Sequence, residues 1–198
     1  MENNFNPMPL FTIPVWRDRL PAFPIHKRRL IEAAEDYRDS NPSDSISNLN
    51  GYQSPKMLHS MPEFSYLFDH ILNRVNQAAL LIGLDGKLGI SEAWVNFNDR
   101  RECMNFQHIH GGVLSGIFYL SAPAGSGRLH LVNPGINNMW EGLSICSEQN
   151  QYTSQVFRIA PEEGMIVIWP SYLPHAVGTN AHDDTRISIA FNTTIVGQ

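Results

Sequence analysis

Gln107-His108-Ile109-His110 carries the sharpest chemical signal in the sequence. On extended chain, side chains two residues apart leave the same face, so both imidazoles point one way. A third histidine, His175, follows the apolar run Met165 to Trp169 and a short turn through Pro170 and Pro174. Three neutral imidazoles suit iron, zinc, nickel or copper. Two ligands from one strand and one from a distant strand hold one side of a metal and leave the other side for chemistry. Taken alone, a His-x-His pair is a weak motif, because polar surface turns also carry such pairs.

A second signal, Arg186-Ile187-Ser188-Ile189, lies eleven residues beyond His175. Arg186 and Ser188 share one face of an extended chain. A guanidinium offers a rigid fork to a carboxylate, and a hydroxyl adds one more bond to the same group. A polar strand face turned to solvent explains that alternation equally well. The other histidines give less. His26 and His59 lie in polar stretches and read as surface residues, His70 sits within a helical pattern, and His182 lies in a turn. Arg128-Leu129-His130-Leu131 reads as a strand, with His130 either inside the fold near the site or in a structural hydrogen bond.

These residues need a scaffold. Residues 9–16, PLFTIPVW, read as a short strand. The segment HKRRLIEAAEDYRDS predicts a helix ending before Asn41-Pro42, since a proline biases its predecessor away from helical angles. SISNLNGYQS is turn-rich and reads as a loop with a short extended piece. Apolar residues at three- and four-residue spacing from Phe64 to Val75 predict a second helix over 63–81. After Gly86 the texture becomes short β-rich runs parted by turns such as PAGSG and PEEG. No βαβ rhythm is visible, so the pattern is that of an antiparallel barrel or sandwich.

Composition sets the outer limits. A chain of 198 residues suits one domain, with 1–85 as a strand and helical support region and 86–198 as the β core. Hydrophobic residues reach 42% and charged ones only 17%, which excludes a disordered chain. A net charge of −5 weighs against a nucleic-acid partner. The two cysteines, Cys103 and Cys146, are too few for a disulfide scaffold. No run is long enough to span a membrane, and the start lacks the basic-then-apolar order of a signal peptide. The expectation is a cytoplasmic protein.

HIHGGVLSGIFYLSAP, GRLHLVNP, EEGMIVIWPSYLPHAV and RISIAFN together resemble the iron(II)- and 2-oxoglutarate-dependent oxygenases, as do SNLNGYQS and AWVNFN. The resemblance runs from about Leu10 to Asn192 and is closest to a bacterial and phage family of such enzymes. It implies a mainly β fold, a double-stranded β-helix (jelly roll, cupin-like) with N-terminal supporting helices. It implies a dioxygenase using Fe(II) as metal and 2-oxoglutarate as cosubstrate, hydroxylating a substrate while succinate and CO2 form. His108 would be the first metal ligand and His175 the distal one. Arg186 and Ser188 would anchor the distal carboxylate of 2-oxoglutarate. Asn96, Ser115 and Tyr119 would line the cosubstrate pocket, with Tyr119 as a donor and Trp94 beside Asn96 on one strand face; ordinary strand packing accounts for these residues equally well. Trp140 would belong to a loop covering the substrate.

One position departs from the superfamily pattern, which places Asp or Glu two residues after the first histidine. This chain has His110 there. Either His110 is a third ligand, or it stands back and water or chloride fills the position. The residues also leave room for a three-histidine cupin-like metalloenzyme that does not use 2-oxoglutarate, and for a noncatalytic β-sandwich binding module. The substrate is expected to be a small molecule, an amino acid, or a peptide or protein side chain. A homodimer is left open.

Overall fold

The computed structural model describes residues 9–44, 48–99, 104–135, 150 and 154–197. Trp140, Cys103 and Cys146 lie outside the described residues. The chain begins with a short strand β1 (Trp16–Arg19) and helix α1 (Phe23–Ser40). Two very short strands follow, β2 (Asn48–Leu49) and β3 (Tyr52–Gln53), then two 3-10 turns and helix α2 (Ser65–Leu81). The rest is strand: β4 (Lys87–Asn98), β5 (Met104–His108), β6 (Leu114–Ser121), β7 (Leu129–Val132), β8 (Val156–Ile159), β9 (Met165–Pro170), β10 (His175–Val177) and β11 (Arg186–Val196).

Local chemistry sets both helix ends. Pro24 occupies the first turn of α1, where a missing N–H costs nothing. Pro42 forces Asn41 into extended geometry (φ −136°, ψ 137°), and the Asn41 side chain donates to the Tyr37 carbonyl. On α2, Leu67, Phe68, Ile71, Val75, Ala78 and Ala79 form one buried stripe. Gly83, at φ 74°, then takes the left-handed turn that releases the chain.

The strands form two antiparallel sheets, ordered β1-β9-β6-β11-β4-β3 and β2-β5-β10-β7-β8. This is the expected double-stranded β-helix with supporting helices. Strand parity divides the six-stranded sheet into two faces. Ala93, Val95, Phe97, Phe118, Leu120, Ile166, Ile168, Ile187, Ile189 and Phe191 pack with the helices on the outer face. Burial of each large apolar side chain contributes roughly 1.5–3 kcal/mol. Ile117, Tyr119, Val167 and Trp169 face the other way and meet Leu129, Leu131, Leu173 and Val177 inside the barrel.

Three expectations need correction. The first strand lies at 16–19, not 9–16. Pro14 has no N–H to give a ladder, whereas Trp16–Arg19 pair with Ile168–Met165 of β9. His130 does not face the site: Leu129 and Leu131 take the inward positions of β7, so His130 points outward toward the Arg158 row of β8. Nor are His26 and His59 plain surface residues. His26 is half-buried and stacks on Tyr66 with ring centroids 4.3 Å apart, and His59 is half-buried beside Phe68.

Candidate functional site

The three candidate histidines come together. His108 ends β5, and His175, which begins β10, is its direct cross-strand partner. His110 lies just past β5, where its backbone N–H donates to the Ser171 carbonyl at 3.1 Å. That bond ties the histidine loop to the turn after β9. The loop returns through Gly112 at φ 116°, where a Cβ would sit 2.5 Å from the Thr193 carbonyl oxygen; only glycine fits. Ring centroids lie 4.4 Å apart for His108 and His175, 4.7 Å for His108 and His110, and 5.0 Å for His110 and His175. One ligand nitrogen from each falls within 4.8 Å of the others.

The protonation states suit a metal. Burial pushes His175 down to about 3, with His108 and His110 adding to the fall and a bond to the Leu173 carbonyl opposing it. That 2.9 Å bond fixes the proton on Nδ1 and leaves the Nε2 lone pair for a ligand role. Burial, then His108 and Lys56, bring His110 down to about 4. Both rings are therefore neutral near pH 7, the state in which imidazole binds a metal.

The interior face of the six-stranded sheet extends from these histidines as rungs of aligned residues. Nearest the mouth, Glu92, Asn192 and Ser115 stand in register. Trp94 follows, with its ring centroid 5.6 Å from that of His110. Trp169, on β9, approaches His175 to 4.9 Å. Asn96, Ser188 and Tyr119 form the next rung, and Asn98 with Arg186 the last. The polar face of β11 thus points inward. Arg186 is wholly buried, and Ser188 and Asn192 are 3% exposed, so a solvent-facing edge is ruled out for them.

At the mouth, polar groups form a closed chain. Asn192 Nδ2 donates to Glu92, so its Oδ1 accepts from the Ser115 hydroxyl at 2.7 Å. Ser115 has one proton, hence the Ser171 hydroxyl donates to it at 2.8 Å. Lys56 bonds both Glu92 carboxylate oxygens at 3.1 Å and lies 5.5 Å from the Trp94 ring centroid. Ser115, expected beside the cosubstrate, is therefore committed to this mouth network. At the far end, Arg186 Nη1 donates to the Ser126 and Gly178 carbonyls, and Nη2 donates to Asn98 Oδ1 at 2.7 Å.

Between the two ends, the buried Tyr119 hydroxyl and Asn96 Oδ1 have no hydrogen-bond partner among the described residues; the same holds for Trp169 Nε1, on the Ser115 rung, and for Ser126 Oγ near Arg186. Burial raises the Tyr119 hydroxyl pKa despite the opposing Arg186 charge, so it stays a protonated donor. Orphaned buried donors beside a buried guanidinium fit a ligand rich in oxygen acceptors. Three neutral imidazoles fit a first-row divalent metal. Fe(II) and 2-oxoglutarate both suit the residues present. Lys56, Glu92, Asn98, Asn192 and Ser171 were not singled out in the sequence. Asn and Ser read there as turn formers, and only long-range pairing brings them to the site.

The profile of the 2OG-Fe(II) oxygenase family matches residues 92–192. No curated protein matches the chain in sequence. Among solved structures, a Pseudomonas putida prolyl-4-hydroxylase is similar at TM-score 0.61 and 14% identity, over 94% of this chain and 95% of that one. The α-ketoglutarate-dependent epimerase SnoN of nogalamycin biosynthesis is similar at TM-score 0.70 and 12% identity, over 92% and 79%. HygX from Streptomyces hygroscopicus, solved with nickel and 2-oxoglutarate bound, is similar at TM-score 0.65 and 11% identity, over 93% and 84%. Identities this low establish a shared fold.

Proposed function

Because the chain belongs to the 2OG-Fe(II) oxygenase family, we propose that His108, His110 and His175 hold its iron and that Arg186, with Ser188, Tyr119 and Asn96, receives 2-oxoglutarate. Family membership sets aside the noncatalytic module and makes the protein an enzyme. The carrying observation is the arrangement along one interior face. Three clustered imidazoles stand near one end and a buried guanidinium at the other, with an unpartnered Tyr119 hydroxyl between them. When bound, the metal and cosubstrate supply the oxidising chemistry, with succinate and CO2 as coproducts. The protein's part is to hold neutral imidazoles, grip the far carboxylate, and exclude water from a mostly buried pocket.

This reading takes His110 as the third ligand in place of a carboxylate. An all-imidazole set leaves the metal more positive than a set of two histidines and one carboxylate, which alters its reactivity. The substrate is read as carrying a polar group, because Lys56 and Glu92 are each about a third exposed at the mouth, while exposed Met57, Ile109 and Tyr172, chain neighbours of Lys56, the histidines and Ser171, add apolar surface. A small molecule, an amino acid or a peptide residue fits that chemistry, and the prolyl hydroxylases of shared fold make a peptide residue a natural first substrate to screen. No described helix is long and apolar enough to cross a membrane. The same reading extends to a cytoplasmic enzyme able to pair as a homodimer, for which sedimentation velocity gives the test.

Anaerobic titration with Fe(II), followed by 2-oxoglutarate, tests the assignment. One metal per chain is expected, with metal-dependent 2-oxoglutarate binding and succinate release on admitting O2. His175→Ala and His110→Ala should each weaken metal binding by at least about tenfold, the loss expected when one ligand of a small set is removed. Full metal affinity in His110→Ala would move that residue out of the ligand set. Absence of 2-oxoglutarate binding in the metal-loaded protein would overturn the reading.

A further inference from the structure

We propose that Asn48 and Asn98 are positioning residues for Arg186, and that the short β2–β3 segment is therefore a working part of the cosubstrate site. This rests on the reading that Arg186 receives the distal carboxylate of 2-oxoglutarate.

The three side chains form a buried series: Asn48 is 3% exposed, Asn98 1%, and Arg186 0%. Bond polarity runs one way along it. The Tyr52 backbone carbonyl is an acceptor only, so Asn48 must turn its Nδ2 toward it, at 2.9 Å. That leaves Asn48 Oδ1 facing Asn98, which must present Nδ2, at 2.6 Å. Asn98 Oδ1 is then the atom that meets Arg186 Nη2, at 2.7 Å. Had the Asn98 amide the opposite orientation, its NH2 would face the guanidinium, donor against donor. The Tyr52 backbone carbonyl on β3 thus sets the sign of the contact to Arg186 through two amides. Asn180 steadies the series from the side by donating to the Asn98 backbone carbonyl at 2.9 Å.

The local sequence is fitted to this job. Gly51 follows the bend, where a Cβ would come within 2.6 Å of Asn48 Oδ1 and 2.8 Å of the Phe97 carbonyl oxygen. The segment bridges the two sheets, β2 pairing with β5 and β3 with β4, so it lies against the strand that delivers His108 and the strand that delivers Asn98. On the other side of the guanidinium, a Cβ on Gly127 would come within 2.7 Å of Arg186 Nη1, and φ of +87° also demands glycine. Carbonyl and amide oxygens hold the arginine in place. These oxygens are neutral, so they orient the guanidinium without cancelling its charge toward an incoming carboxylate.

The experiment compares binding of 2-oxoglutarate with that of 2-oxobutanoate, which has the same chelating end but no distal carboxylate. Both are titrated into Mn(II)-loaded full-length protein by calorimetry. The variants are Asn98→Ala, Asn48→Ala, Asn48→Asp and, as a reference, Arg186→Gln. Asn48→Asp keeps an oxygen toward Asn98, whereas Asn48→Ala does not; both lose the bond to Tyr52. The proposal expects Asn98→Ala and Asn48→Ala to weaken 2-oxoglutarate about tenfold, with 2-oxobutanoate and Mn(II) affinities unchanged and Asn48→Asp within about threefold of wild type. A merely structural β2–β3 segment would weaken both ligands together, with Asn48→Asp and Asn48→Ala alike, and that result would overturn the proposal. Loss of discrimination in Arg186→Gln but in no asparagine variant would overturn it too. Retained discrimination in Arg186→Gln, which has no charge to offer a carboxylate, would instead sink the assignment of Arg186 on which the proposal rests.

Discussion

A buried hydroxyl without a partner costs about 1–3 kcal/mol. Tyr119 carries such a hydroxyl at the centre of the barrel, on the rung between the histidines and Arg186. Its cost is offset only if a ligand supplies the acceptor. Tyr119→Phe removes the hydroxyl and little else. The ligand-free variant should therefore match or exceed the wild type in thermal stability, while its affinity for 2-oxoglutarate drops by about fivefold, the worth of one buried hydrogen bond. Calorimetry of the metal-loaded protein alongside thermal melts reads both quantities. A destabilised variant with unchanged affinity would mean that the hydroxyl serves the fold. The same residue shows where sequence reading stops. Its place on a strand face was legible from parity, but the absence of a partner depends on what the opposite sheet places across from it.

At the scale of elements, an ionic contact on Asp18 holds β1 in addition to its ladder and to the pairs of Arg17 and Arg19 with Glu162. Asp18 Oδ2 accepts from Arg74 Nε at 2.5 Å and lies 2.8 Å from His70 Nε2, so a sheet-edge strand is clamped to α2. Burial alone would raise the Asp18 pKa, but the Arg19 backbone N–H, His70 and Arg74 together bring it below the usual carboxylate value. A carboxylate lowered in the folded state contributes stability above its unfolded value, about 3.9, and loses it as pH falls through the folded one. Asp18→Asn should then cost about 1 kcal/mol at neutral pH, a melting shift of about 2–4 °C for a chain of this size. The gap between variant and wild type should hold down to about pH 5 and close below pH 4, where protonated Asp18 resembles asparagine. A gap that persists unchanged at about pH 3 would show that the clamp does not depend on the charge. The elements themselves were largely legible. Helix positions followed from apolar spacing and prolines, and most strands from alternating β-rich runs. The misplaced first strand and the outward His130 share a cause. Apolar character marks extended chain, but pairing decides which residues join the ladder and which face is inside. Asn48 and Asn98 escaped for a related reason: asparagine is a turn signal locally, and its value here comes from partners fifty or more positions away.

Across the whole molecule, the interior face works as an axis with two functions. Its deep end, from Asn96 to Arg186, is built of buried groups suited to the cosubstrate. Its mouth, from Trp94 outward, carries the Lys56–Glu92 pair, each partner about a third exposed. The net charge of −5 describes the outer surface, while the axis itself holds a buried guanidinium and the imidazoles of a metal site. The division makes a separable prediction. Glu92, which bonds Lys56, is further along the ladder from Arg186 than Tyr119 is. An exposed or half-exposed pair contributes little stability, at most about 1 kcal/mol, so its loss should leave the fold intact. Lys56→Ala and Glu92→Gln should keep metal-dependent 2-oxoglutarate binding within about twofold of wild type, because Arg186 lies six ladder positions from the Glu92 partner Asn192 and Lys56 is the weakest of the three influences on His110. They should instead alter which polar compounds stimulate succinate release above the background rate seen without substrate. Screening one panel of charged and neutral amino acids and peptides against the wild type and both variants reads this directly. If the two mouth variants lost 2-oxoglutarate affinity as Tyr119→Phe does, mouth and deep end would be one electrostatic unit, and substrate preference could not be tuned without disturbing the cosubstrate.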